Sequence, residues 1–229
     1  MPTKLRCGLR IAVALFVALL SPSAFGAEQD LSVNARLLAA ARSGDSQGVA
    51  RELAAGASPN ARNRLGETAL LVALKRNDLA LAQAMLDAGT DVNQAAVNGV
   101  TALMAAAYGG NAQMVATLIA KGADINARDR LKKVAMIYAA GEGHTEVVQM
   151  LLAKGIDANT VYDNDLTALM WAAGFGRTAT VKALLAAGAR ADLRDNRGKT
   201  ALDIARDNKQ SATATRLESA GSGKAPAGS

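Results

Sequence analysis

The sequence predicts an all-α solenoid of six stacked helix-turn-helix units joined by β-turn fingers. Three observations predict it. The word Thr-Ala-Leu-Met stands at residues 101–104 and again at 167–170, and steps of 33 from Gly66 meet Gly99, Lys132, Asp165 and Gly198 without insertion or deletion. One column of that period holds the alanines Ala40, Ala73, Ala106, Ala139, Ala172 and Ala205; another holds Gly56, Gly89, Gly122, Gly155, Gly188 and Gly221. Aromatic content is 3% in a chain that is 50% hydrophobic, so the core must be built from Ala, Leu, Val and Met, which suit closely packed helices.

The chain opens with Lys4, Arg6 and Arg10 ahead of an apolar run from Ile11 to Leu20, then Pro22, read as a helix breaker, and small residues. This is the pattern of a secretory signal, and the run is shorter than the roughly 20 residues that span a bilayer. A cut is expected after Gly26, with Ala27 the second choice, so residues 1–26 form the signal and residues 27–221 the repeat domain. Cys7 leaves with the signal, and export brings no disulfide framework. The formal charge then falls from +6 to about +3, which is weak support for nucleic acid or anionic lipid. The expected compartment is a bacterial periplasm, with secretion as the alternative and no membrane attachment after cleavage.

Within each unit the elements follow in order. Thr68, Thr101, Thr167 and Thr200 stand where a side-chain oxygen caps a helix N-terminus, worth about 1 kcal/mol each. Leu70, Leu103, Met136, Leu169 and Leu202 share one face with the column alanine, whose small side chain admits the neighbouring helix. Gly44, Gly110, Gly143 and Gly176 mark a turn. A second helix runs through pairs such as Met85 and Leu86 or Leu151 and Leu152 and ends at the glycine column, where a left-handed residue costs least. An extended finger follows, carrying Asn60, Asn93, Asn126 and Asn159 in one column, continued by Asp192.

These words, with Gly143-His144 before Glu146-Val147-Val148 and the run from Lys121 to Ala127, resemble the ankyrin repeat over residues 31–221. The resemblance implies repeats near 31–63, 64–96, 97–129, 130–162, 163–195 and 196–221, the first and last acting as caps. It also implies a concave protein-binding surface made by the fingers and first helices. The family's Thr-Pro-Leu-His word has lost its proline and histidine here, so apolar contacts must replace histidine-centred bonds between repeats. The first copy lacks the capping Thr, and the last carries Glu218 in the Leu185 column, as end caps facing water would. Residues 222–229 have nothing to bury and read as a disordered tail.

Catalytic chemistry is not written in the residues. There is one histidine, no cysteine after the signal and no phosphate-cradling loop, so no enzyme, cofactor or metal is expected. His144 reads as support for the Gly-His turn. Asp91, Asp124 and Asp157 recur at finger starts, and Asp45 and Asp78 at second-helix starts, where the helix dipole favours a carboxylate. Arg62, Arg128 and Arg194 share one finger column and Arg64 and Arg130 another, but Asp129, Asp163 and Asp195 lie among them. That reads as a solvated finger edge and not as a nucleic-acid surface.

A protein partner is the remaining expectation. After the signal all aromatics, Tyr108, Tyr138, Tyr162, Trp171 and Phe175, fall in the third to fifth repeats. Tyr138 and Trp171 share a first-helix column and are expected to touch; Tyr108 and Phe175 end that helix, and Tyr162 is placed at a finger tip. Buried aromatic anchors dominate interfaces, so these residues, with Arg128, Arg130, Lys132 and Lys133 as a basic rim, form the candidate surface. For Tyr138 and Trp171, packing between repeats is the equal alternative. The fourth repeat also loses its glycine and capping threonine, at Lys132 and Val134. The reading is a monomeric, non-enzymatic binding module; a host-directed effector or a regulator of an envelope enzyme is the alternative.

Overall fold

The computed structural model describes residues 22–222, with side chains described over 33–220. The signal call therefore lies largely outside the described residues, as does the tail call apart from Ser222. Twelve α-helices and no strand occur among the described residues. They form six antiparallel pairs: α1 (Pro22–Ser43) with α2 (Ser46–Ala54), α3 (Ala69–Lys75) with α4 (Leu79–Asp87), α5 (Ala102–Gly109) with α6 (Ala112–Ala120), α7 (Ala135–Glu142) with α8 (Thr145–Ala153), α9 (Ala168–Gly174) with α10 (Thr178–Ala186), and α11 (Ala201–Asp207) with α12 (Ser211–Ser222). Each odd-numbered helix packs against the next, giving an inner row, and the outer helices from α6 onward do the same.

The helix starts obey the capping expectation. The hydroxyls of Thr68, Thr101, Thr167 and Thr200 accept the N–H groups of Leu71, Met104, Met170 and Asp203. Asp45, Asp78 and Asn111 cap α2, α4 and α6 in the same way. Val134, at the start of α7, makes no side-chain cap. The alanine column is buried along its whole length, which is what lets the inner row pack closely.

Five outer helices stop at a left-handed glycine, Gly56, Gly89, Gly122, Gly155 or Gly188. The next residue turns back to the helix, as when Ala123 N–H donates to Leu118 O at 2.9 Å. Gly221 departs from that expectation: α12 runs through it to Ser222. Pro22 likewise opens α1 instead of breaking a helix, because the first helical position needs no N–H donor. The expected cut after Gly26 falls inside α1.

The end repeats show where stacking stops. Leu70, Leu103, Met136 and Leu169 are fully buried, while Leu202, in the last described repeat, is only half-buried. Glu218 is exposed and pairs with Arg206 at 2.7 Å. In the first repeat the buried Glu52 occupies the column of Met85 and Leu118, and Arg36 neutralises it at 2.8 Å. Among the described residues no helix is long and apolar enough to cross a membrane.

Candidate functional site

Five fingers link the six repeats, and four share one turn. In the first, Asn63 N–H donates to Glu67 O at 3.0 Å and Gly66 N–H returns to Asn63 O at 2.9 Å, with Gly66 left-handed. Ala96 and Gly99, Asp129 and Lys132, and Asp195 and Gly198 repeat the pattern in the second, third and fifth. The Asn63, Asp129 and Asp195 side chains strengthen it by accepting further backbone N–H groups inside their own turns. The second finger lacks such a side chain but keeps its glycine.

The fourth finger has neither. Tyr162 stands in the Asn/Asp column and Asp165 in the glycine column, and the closing bond moves one residue along, from Leu166 N–H to Asp163 O. Asn164 and Asp165 are both left-handed, the pair of conformations a type I′ turn requires and Asn and Asp tolerate best. This change of turn interrupts two ladders at one place. Val97, Arg130 and Asn196 each donate a backbone N–H to the preceding finger, at Leu65, Asn98 and Asn164. Among the described residues Asp163 makes no such bond to the third finger. The side chains of Asn60, Asn93 and Asn159 accept N–H groups from Asp91, Asp124 and Arg190 one repeat on, at 2.7–2.8 Å. Among the described residues Asn126, which faces the same junction, has no counterpart bond to Asp157. The Lys132 ammonium spans the gap, to Asp163 at 2.9 Å.

A cleft of about 460 Å³ opens there. Arg130, Leu131, Lys132 and Lys133 line it from the third finger, Tyr162 and Asn164 from the fourth, and Trp171 from α9. Five of the nine residues singled out from sequence thus meet in one place. Tyr108, Tyr138, Phe175 and Arg128 lie outside this lining, the first three forming a strip beside it.

The aromatics form two ring pairs. Tyr138 and Trp171 do not stack on each other. Tyr138 meets Tyr108 edge-on with centroids 6.1 Å apart, and Trp171 stacks on Phe175 at 5.9 Å. Lys133 lies between the pairs, its Nζ 4.8 Å from the Trp171 centroid and 5.7 Å from that of Tyr138. It is therefore no rim residue; two ring faces hold its charge. The stacked pair lies against Gly141 at a distance where a Cβ would make ordinary contact, 3.7–3.8 Å from Phe175 and Trp171. Tyr108 is 56% and Phe175 53% exposed, a large apolar area left in water.

Tyr162 is not at a finger tip. It begins the turn, with Asn164 and Asp165 at the tip, and its half-buried ring packs on the core. Burial pushes its hydroxyl above the ordinary tyrosine range against the pull of Thr160 and Arg128. Burial, and then Asp129, hold the Tyr138 hydroxyl well above that range, so it stays a donor, to Asp129 Oδ2 at 2.5 Å. Asp129, expected on a solvated finger edge, is buried and anchors both a turn and Tyr138. Leu131, 68% exposed at the cleft mouth, escaped the sequence reading. Its column holds Leu65, also exposed, beside the polar Asn98, Asn164 and Arg197, so the column alone does not single it out.

His144 reaches back one repeat, its Nε2 2.8 Å from Tyr108 O, and its ring packs where a Cβ on Gly110 would stand. Arg177 does the same to Gly141 O at 2.8 Å. His144 is thus a tie between repeats. Among the described residues no cluster of three metal-ligating side chains occurs.

The family model for ankyrin repeats, in three copies, matches residues 37–129 and again 134–222. The chain belongs to the ankyrin-repeat family. Ankyrin repeats are protein–protein interaction modules, and the family is typically non-enzymatic. A search of curated proteins returns no match.

Proposed function

We propose that this ankyrin-repeat chain is an exported, non-enzymatic module that seats a protein partner in the cleft between its third and fourth fingers and on the adjoining aromatic strip. The observation that carries this reading is the coincidence of two interrupted ladders with the only aromatics among residues 33–220. Repeats that pack identically give a continuous ladder, and here the ladder is open where exposed rings and cations gather. Tyr108, Phe175 and Leu131 supply apolar area, Trp171 and Tyr138 a half-buried base, and Arg130 with Lys132 a basic edge. Such an arrangement of aromatic anchors bordered by charge is the usual anatomy of an interface hot spot.

Trp171 is the only tryptophan in the chain, so its emission reports directly on the site. A photocrosslinking side chain at Leu131 should trap the partner in the compartment where the chain resides, and one at exposed Gln149 on the outer row should not. Alanine at Tyr108, Trp171 and Phe175 should abolish that crosslink with helical content unchanged. An undiminished crosslink from the triple variant would move the site elsewhere. The signal-like leader supports export to a periplasm, and recovery of the chain with the cytoplasmic fraction would remove that part of the reading.

A further inference from the structure

A concavity larger than the aromatic cleft lies elsewhere. A groove of about 750 Å³ lies between the first two repeats, where α1, α3 and the first finger meet. Its lining carries five cations, Arg42, Arg62, Arg64, Lys75 and Arg76, and a single carboxylate, Glu67. Glu67 is already engaged, by the Lys75 ammonium at 2.6 Å and the Asn63 amide at 2.8 Å. Arg62 is committed to the backbone, donating to Gly66 O and Ala95 O. Arg42, Arg64 and Arg76 are exposed and make no ion pair among the described residues. The floor between them is apolar, formed by Leu38 and Val72.

We infer that this groove is a second binding surface, which takes an acidic, extended polypeptide segment of the partner. Three unpaired guanidiniums around an apolar floor match a chain that alternates carboxylates with small apolar side chains, and each can fork onto a carboxylate in two-pronged fashion. The chain's own ends do not fit. Residues 1–27 contain no acidic side chain and three basic ones, and residues 223–229 add Lys224 and no acidic side chain. A flat membrane cannot reach cations set into a concavity. A single-stranded nucleic acid stacks its bases on aromatic rings, and the lining has none.

The inference rests on the reading of the concave side as the binding face but uses different residues, so the two fail separately. The test is fluorescence anisotropy with a labelled peptide of about twelve residues alternating Glu with Leu and Ser, a length that spans the groove when extended. The full chain should bind it, more weakly as salt rises, and should not bind the same peptide with Gln for Glu. The Arg42→Gln, Arg64→Gln, Arg76→Gln variant, with an unchanged helical spectrum, should lose about tenfold or more in affinity. Trp171→Ala should bind the peptide as the parent does. Equal binding of the Gln peptide, undiminished binding by the triple variant, or displacement by a matched oligo-dT or by phosphatidylserine vesicles at lower concentration would overturn the assignment. Loss of binding in Trp171→Ala alone would transfer the acidic segment to the central cleft.

Discussion

At the scale of single residues, the fourth repeat opens with two local faults. Lys132 is left-handed at φ 56° and Val134 leaves its helix uncapped. Valine carries a methyl where Thr68, Thr101, Thr167 and Thr200 carry the capping hydroxyl, and a lysine held in the left-handed region costs about 1–2 kcal/mol. Lys132→Gly gives up the exposed pair with Asp163, worth at most about 1 kcal/mol, while removing the strain. Val134→Thr with Lys132→Gly should therefore raise unfolding free energy by about 1 kcal/mol, read as a higher denaturant midpoint at unchanged slope. A lower midpoint would mean that the faults are not faults. Both were legible in the sequence, because a period of 33 turns every missing threonine and glycine into a visible gap.

At the scale of elements, the fingers behave as a ladder with one missing rung. Tyr162 brings a ring where Asn63, Asp129 and Asp195 bring an amide or carboxylate and Ala96 a methyl, and the turn slides one residue. The amide of Asp163 should then exchange with solvent much faster than those of Val97, Arg130 and Asn196, which donate to the preceding finger. Hydrogen exchange resolved by residue checks it; equal protection at all four positions would show the ladder to be continuous. This break was not legible. The sequence put Tyr162 at the tip, and only the alternative hydrogen-bond register, a choice between turns of similar energy, sets it at the base.

At the scale of the whole molecule, stability is a sum of repeat and interface terms, and the charged ends contribute through acids held below their ordinary range. Burial raises the Glu67 and Asp195 carboxyls, but Lys75 and Asn63 for the first, and the N–H groups of Lys199 and Arg197 with the Arg197 guanidinium for the second, lower them further. The Thr200 N–H and hydroxyl lower Asp203. A carboxyl depressed in the folded state adds stability that is complete above its ordinary value and is lost as pH falls through the folded one. The denaturant midpoint should thus be flat through neutral pH and fall on acidification below the ordinary Asp value of 3.8. Asp195→Asn should lower the midpoint at neutral pH and flatten part of the acid loss; an unaltered acid profile would remove Asp195 from the account.

The same scale sets the geometry between the two proposed surfaces. They lie about three repeats apart, which at about 9 Å per packed helix is roughly 27 Å, or about eight extended residues. One partner segment can therefore touch both.

The sequence by itself determined the period, the helix pairs, the caps, the alanine seam and the family, because these depend on contacts between neighbouring repeats that every copy must make. It also located the aromatics in the middle repeats. The tertiary structure alone decided that Lys133 sits between two ring pairs, that Asp129 is a buried anchor and that the fingers part between the third and fourth. Those outcomes depend on which of several similar turns and side-chain directions the neighbouring repeat leaves room for. A column position names a residue's place in the stack; the direction its side chain takes is settled by what packs against it.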